Sequence, residues 1–425
     1  MKSSQIHRKN RQKLRYICKG LTAVVFALTN LASCDDAPSN VVEGVDAPMV
    51  LQRSDVRVSG TSESIAVVVD LEVLPDGSVW VLNSVEPFFI GFGPDGSVLH
   101  EYGSRGGGPE EFGIPVGFVS RGIGGAAWIF DARRHALIEI SRPGSARTEI
   151  SLPRNVLPPG SLMSGFGFLS PQVRTARLGE EIILARSNGS LSSGVLSLSR
   201  TIYGADLVAL DPSTDSVRGV AALGSLLADP AAYLESLGAL PPVLLWFRLW
   251  TVCSGRELRV YDRFRNEMRG FSADGTELEA ITLPPVSVTE ASAEQFARAI
   301  FALVMAEVQG QVGGGFTAAD SIRVINETVQ EMEWDPAQIA EVLPRYVDLR
   351  CGEEGTLWLQ PFDPEMGGLR GGTAWLRITP GGVSQEIHLP ERFDPYRFTS
   401  ERIWGVLRDE LDVASVAWIE APSIR

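Results

Sequence analysis

The sequence predicts an all-β fold, and three observations carry that expectation. Glycine (43) and proline (26) make up about one residue in six of the 425. This density suits many short strands joined by tight turns better than long helices. Five stretches share a strand–turn–strand outline: Leu71–Leu82 around Asp76-Gly77, Phe88–Leu99 around Asp95-Gly96, Phe271–Leu278 around Asp274-Gly275, Arg350–Leu359 around Glu354-Gly355, and Leu376–Val383 around Gly381-Gly382. Glycine accepts positive φ at such a turn, and alternating apolar residues on both sides make it a hairpin. Hairpins of this kind cannot bury their apolar faces alone, but stacked radially into a closed ring they can, without leaving sheet edges open.

Grouped in pairs, the hairpins give six units, near residues 66–103, 115–150, 163–220, 246–283, 345–389 and 393–420. The expectation is therefore a six-bladed β-propeller with short helical insertions. The last unit supplies three strands, and Asp55-Val56-Arg57-Val58-Ser59 is expected to add the fourth and close the ring. A propeller over residues 51–425 has about 62 residues per blade, more than the usual repeat, and insertions absorb the excess. One runs Leu223–Leu245, helical around Ala231–Leu234. Another is Thr289–Gln309, where Thr289 caps a helix and Phe296, Ile300, Phe301, Val304 and Val308 share a stripe. The glycine-rich run 310–315 after it is expected to act as a hinge. Asp335–Val342 reads as a third short helix, with Asp335 as cap and Pro336 in its first turn.

Residues 1–33 are expected to lie outside the fold. Seven lysines and arginines with no acid precede the apolar run Leu21–Leu28, which is too short to span a bilayer but suits the core of a signal peptide. Leu31-Ala32-Ser33-Cys34 follows and resembles the lipobox of bacterial lipoproteins. The resemblance implies cleavage before Cys34, a diacylglyceryl thioether on its sulfur, and acylation of the new amino group by a chain such as palmitate. It also implies a place in the bacterial cell envelope, held to a membrane through the N-terminal lipid on its extracytoplasmic side. Residues 34–50 are acidic and carry prolines, and read as a tether.

Removal of residues 1–33 leaves 31 basic against 52 acidic side chains, a formal charge of −21. This argues against nucleic acid or an anionic lipid surface as a partner across the whole face. Cys253 and Cys351 then remain in an oxidising space, either as one disulfide or as two separate buried thiols. With no C-x-x-C motif and only His100, His135 and His388 left, no metal site and no cofactor is expected.

The segment Tyr102-Gly103-Ser104-Arg105-Gly106-Gly107-Gly108-Pro109-Glu110-Glu111-Phe112 resembles the G-x-x-G-x-G-P-x-x-F loop that joins blades in NHL-like propellers, especially six-bladed propeller lipoproteins of bacteria. Gly106, Gly108, Pro109 and Phe112 carry the match. Trp404–Val413 is similar to the closing blade of that group. The resemblance is good over residues 66–150 and 345–420, weak over 160–245, and absent over Thr289–Gln309. It implies a fold and a blade order, and leaves activity open, because propellers host many functions.

No catalytic motif emerges. A G-x-S-x-G elbow and an H-E-x-x-H pair are both absent. NHL-like lyases and lactonases hold a metal with channel histidines and acids, whereas the three histidines here fall in outer or middle strands. Ser104–Gly108 could cradle a phosphate by composition, but the Pro-x-x-Phe after it favours an interblade turn. Asp131 and Asp262 end strands ahead of arginines (Arg133, Arg134; Arg263, Arg265), as functional pairs or as turn caps. The expected function is a membrane-tethered binding or scaffolding propeller lipoprotein for an envelope protein or a small ligand. The alternative is a hydrolase or lyase acting on a small or glycan-derived substrate in the central channel.

Overall fold

A computed structural model describes residues 40–41, 45–120, 126–140, 148–153, 156–157, 175–187, 205–214, 216–221, 249–262, 265–295, 345–352, 354–363 and 373–422. The signal segment, Cys34, the insertion Leu223–Leu245, the apolar stripe from Phe296 onward, the glycine run 310–315, the helix Asp335–Val342 and Arg263 lie outside the described residues. Residues 290–295 are helical, and Thr289 Oγ1 caps the turn by accepting from the Ser292 amide at 3.1 Å.

The N-terminal strands are β1 (Asn40–Val41), β2 (Val45–Val50) and β3 (Arg57–Gly60). A first meander follows: β4 (Val68–Val73), β5 (Val79–Asn83), β6 (Phe89–Phe92) and β7 (Val98–Tyr102). The two-stranded ladder of β8 (Ser104–Arg105) and β9 (Glu111–Phe112) leads to a second meander, β10 (Pro115–Ser120), β11 (Ala127–Asp131), β12 (Ala136–Ile140) and β13 (Glu149–Ser151). After β14 (Val156–Leu157), the third comprises β15 (Thr175–Leu178), β16 (Glu181–Ser187), β17 (Ala205–Asp211) and β18 (Ser216–Ala221). The fourth is β19 (Trp250–Cys253), β20 (Glu257–Asp262), β21 (Glu267–Ser272) and β22 (Glu277–Thr282). The fifth is β23 (Tyr346–Cys351), β24 (Leu357–Pro361), β25 (Ala374–Ile378) and β26 (Ser384–His388). Last come β27 (Phe393–Phe398), β28 (Arg402–Arg408) and β29 (Ala414–Glu420), which pair onward to β3.

The arrangement is all-β and propeller-like. Four meanders form separate sheets, the first, fourth, fifth and last. The second and third are instead continuous in one nine-stranded sheet. Parallel pairing of Val119 with Thr175 and of Ser120 with Ala176 joins them at their innermost strands, where neighbouring blades come nearest to each other. Each meander packs on its successor through its own apolar core. Phe89 and Leu82 meet Ile129 and Ile138. Phe130 and Leu137 meet Ile182 and Val208. Ile183 and Leu207 meet Trp250 and Val260. Tyr261 and Met268 meet Tyr346 and Leu359, and Trp358 and Trp375 meet Phe398 and Ile403. Trp404 and Val416 of the last meander pack on Leu71 and Ile90 of the first. Burial of a large side chain contributes about 1.5–3 kcal/mol relative to exposure, so these six seams hold most of the stability.

All five hairpin glycines read from the sequence have positive φ: Gly77 (82°), Gly96 (81°), Gly275 (86°), Gly355 (80°) and Gly382 (81°). At Gly96 a Cβ would also meet the Ser59 carbonyl oxygen of β3, so this turn has no room for a side chain. β3 pairs antiparallel with β29, Ala417 opposite Val58 and Trp418 opposite Arg57.

The tether expected over residues 34–50 differs from the structure in its second half. β1 pairs in parallel with β22, and β2 pairs in parallel with β26 from Val45↔Ser384 to Val50↔His388. The register shifts between Asp46 and Met49, which accommodates Pro48 on the edge strand. Met49 and Leu51 pack against the core between the fifth and last meanders, and that burial holds the segment in place.

Candidate binding face and inner-strand charge belt

In a meander whose strands alternate in direction, the first-to-second and third-to-fourth connections share one end. The second-to-third connections and those leading to the next meander share the other. At the first end the connections are short: 74–78, 93–97, 121–126, 179–180, 212–215, 254–256, 273–276, 352–356, 379–383 and 399–401, with 141–148 the longest. From the second end leave the long connections 103–114, 152–174, 188–204, 222–249, 283–345 and 362–373, beside the short ones 84–88, 132–135, 263–266, 389–392 and 409–413. Long connections on a rigid scaffold are where binding residues concentrate. The described residues of this second end include the exposed apolar side chains Val67, Val85 and Ile114.

Below this end, a charge belt runs along three innermost strands. Arg397 of β27 donates from Nε to Glu72 Oε2 at 2.7 Å and lies 3.2 Å from Asp70 Oδ1, both acids on β4. Asp70 also accepts from the backbone amides of Leu71 (2.9 Å) and, across the next seam, Phe118 (2.8 Å). Tyr396 donates its hydroxyl to the Val68 carbonyl at 3.1 Å. The Tyr396 carbonyl accepts from Arg397 at 3.0 Å and from Arg350 of β23 at 3.1 Å. Arg350 is in turn paired with Asp348 at 2.9 Å. Burial alone would lower the Arg397 guanidinium, but the Asp70 and Glu72 carboxylates outweigh it and push the group up, so it stays charged.

Local backbone irregularity helps to aim these side chains. Registers shift between Val68 and Asp70, between Pro115 and Gly117, between Tyr346 and Asp348, and between Pro395 and Arg397. Each irregularity lies on an innermost strand, the first three near the elaborated end and the last in the middle of β27, where a bulge turns the following side chain onto a new bearing.

The interblade loop carries its own anion. Gly107 and Gly108 donate their amides to Glu111 Oε2, both at 2.7 Å. The Gly108 bond first and then the Gly107 bond pull the Glu111 carboxyl below its ordinary range. At Gly106 a Cβ would collide with that carboxylate. Arg134 closes the loop from outside by donating to the carbonyls of Gly106 (3.3 Å) and Glu111 (3.0 Å). Phe112 is buried with its ring 4.7 Å from that of Phe89. The amides available to a phosphate are therefore occupied by a carboxylate of the chain itself.

Asp131 is fully buried and clamps the approach to β10, accepting from Gly113 (2.6 Å), Ile114 (3.0 Å), Arg133 (3.1 Å) and Arg134 (3.1 Å). Asn83, at the same place in the first meander, accepts from Ala66 (3.1 Å) and Val67 (3.2 Å) just ahead of β4. Asp262 accepts from the Arg265 amide at 3.3 Å. His100 and His388 lie in the outer strands β7 and β26, and His135 sits in the β11–β12 turn with φ of 56°. Among the described residues, no group of three or more His, Cys, Asp or Glu side chains converges as a metal site would require. Cys253 of β19 and Cys351 of β23 form a disulfide with Cα atoms 5.2 Å apart, at the short-turn end of the fourth seam.

No protein-family model matches the chain, and no curated protein does. Among solved structures, the chain is similar to a member of the DUF4221 family from Bacteroides vulgatus. The TM-score is 0.50 at 8% identity, over 86% of this chain and 96% of that one. It is also similar to virginiamycin B lyase from Staphylococcus aureus (TM-score 0.42, 11% identity, 86% and 99% covered) and to a gluconolactonase from Xanthomonas campestris (0.41, 11%, 90% and 97%). At 8% identity, the likeness to the Bacteroides protein is one of fold alone.

Proposed function

We propose that the chain is a lipid-anchored, extracytoplasmic six-bladed propeller that binds a partner or ligand at its elaborated end. Six blades are supported by the six successive apolar seams, the last of which returns to the first meander. The nine-stranded sheet then counts as two blades joined at β10 and β15. Anchoring is supported by the lipobox-like Leu31-Ala32-Ser33-Cys34 after a basic and then apolar leader.

The observation that carries binding over catalysis is the state of the inner-strand acids. Asp70 and Glu72 are engaged by Arg397 and the Phe118 amide, and Asp348 by Arg350. A general acid or base needs a carboxyl free to exchange a proton with substrate. Asp70 and Glu72 hold blades together instead, and Asp348 holds the Arg350 that reaches across to the Tyr396 carbonyl, leaving recognition to the loops above them.

The test uses the acylated protein and variants at each end. Membrane pull-down with quantitative mass spectrometry should recover a specific partner. Val67→Asp with Ile114→Asp should lose it, while Val383→Asp, in the exposed short turn before β26 at the opposite end, should retain it. Loss with Val383→Asp and retention with the other pair would overturn the choice of face. Fatty-acid labelling that persists in Cys34→Ala would overturn the lipid anchor.

A further inference from the structure

The outer strands of the fourth and fifth blades carry the chain's own N-terminal segment, and this limits how far the domain can stand from Cys34. Asn40 and Val41 are paired with Ile281 and Thr282, Val45 to Val50 are paired along β26, and the Leu51 amide donates to the His388 carbonyl at 2.9 Å. Met49, Leu51 and Val56 are packed against apolar core. Only residues 35–39 separate Cys34 from β1. An extended chain advances at most about 3.5 Å per residue, so the reach from Cys34 to Asn40 is about 20 Å. Freed back to Leu51, the same segment would reach about 60 Å.

We propose that the rim of the fourth and fifth blades, where β1 and β2 lie on β22 and β26, faces a lipid surface, with the propeller standing edge-on close to the bilayer. This rests on acylation of Cys34, the reading given above. Glu277 and Glu279 are exposed on β22, so the short leash holds the edge near the lipid and adsorption does not. Both ends of the propeller then open sideways, along the membrane, toward partners in the same layer.

Energy transfer tests the orientation in the full acylated protein. With Cys253 and Cys351 bonded to each other and Cys34 acylated, Glu279→Cys on β22 or Leu99→Cys on β7 of the first blade supplies a single thiol for a donor dye. The acceptor is a headgroup-labelled lipid in phosphatidylcholine vesicles. We expect strong donor loss at position 279 and weak loss at position 99; equal loss would overturn the edge-on placement. Flotation with vesicles and the mass of the N-terminal peptide report acylation separately. An unacylated Cys34 removes both readings, whereas an acylated protein with equal losses removes only this one. A flexible Gly/Ser spacer between Ser39 and Asn40 should erase the difference and preserve flotation; a difference that survives the spacer would also overturn the inference.

Discussion

Arg397 and Glu72 stand 325 positions apart in the chain and 2.7 Å apart in space. Their ion pair crosses the seam between the last blade and the first, with Asp70 as a second carboxylate partner. Removing the guanidinium strands two partly buried carboxylates. Arg397→Ala should therefore destabilise the domain by about 3–5 kcal/mol, the usual cost of breaking a buried pair. Chemical denaturation measures it, and Arg397→Lys should recover part of the loss. A change smaller than a surface substitution causes would show that the apolar seam alone closes the ring.

The N-terminal strands should contribute in a graded order. Deleting residues 35–39 should leave the melting temperature unchanged. Deleting 35–50 removes β1 and β2 and should lower it. Deleting 35–60 also removes β3, the partner of β29, and should lower it most. Calorimetry on the three truncations gives the ranking, and equal melting of the last two would refute closure by β3.

The disulfide between Cys253 and Cys351 closes a span of 98 residues. Replacing both cysteines by serine should cost about 2–5 kcal/mol, the range found for loops of this kind. Non-reducing peptide mass spectrometry should recover the linked pair, and two free thiols in mature protein would contradict it.

Acid should loosen the hairpins of the short-turn end. The Ser272 hydroxyl, then the Thr276 amide, pull the Asp274 carboxyl down to about 2, and Asp76, Asp95 and Asp211 are lowered by the serines two positions on. A folded pKa below the unfolded one means the stabilisation is present above the unfolded value near 4. It is lost as pH falls toward the folded value. Carbon-detected NMR titration should place Asp274 near pH 2, and Ser272→Ala should raise it toward the ordinary aspartate range. No movement in that variant would assign the shift elsewhere.

Local features of the fold were legible in the sequence because their signals are local. Gly77, Gly96, Gly275, Gly355 and Gly382 announce themselves by the residue before each and the alternation around it, and all five take positive φ. The strand near Val58 was legible because the last unit lacked a fourth strand. Val45–Val50 was not, since a parallel edge strand needs no turn and Pro48 with Asp46 looks like linker. The charge belt was not legible either. Asp70, Glu72 and Arg397 are unremarkable in their own segments, and only ring closure brings them together. Asp131 drew notice for the arginines behind it; its carboxylate accepts from four backbone amides, those of Arg133 and Arg134 among them, and lies 3.8 Å from the Arg134 guanidinium. For Cys253 and Cys351, spacing alone left pairing and separation equally open.

Pairing of β3 with β29 also sets a timetable. β3 emerges long before its partner Ala414–Glu420, with every other blade made between them. Throughout synthesis the early strand has an unsatisfied edge, and contacts so distant in sequence form slowly. A chain broken off anywhere before β29 keeps that edge open, whatever its other blades have achieved. The fold itself thus checks that β29 has been reached: only a chain that includes it can hide the edge by which a shorter one would aggregate or be recognised and destroyed.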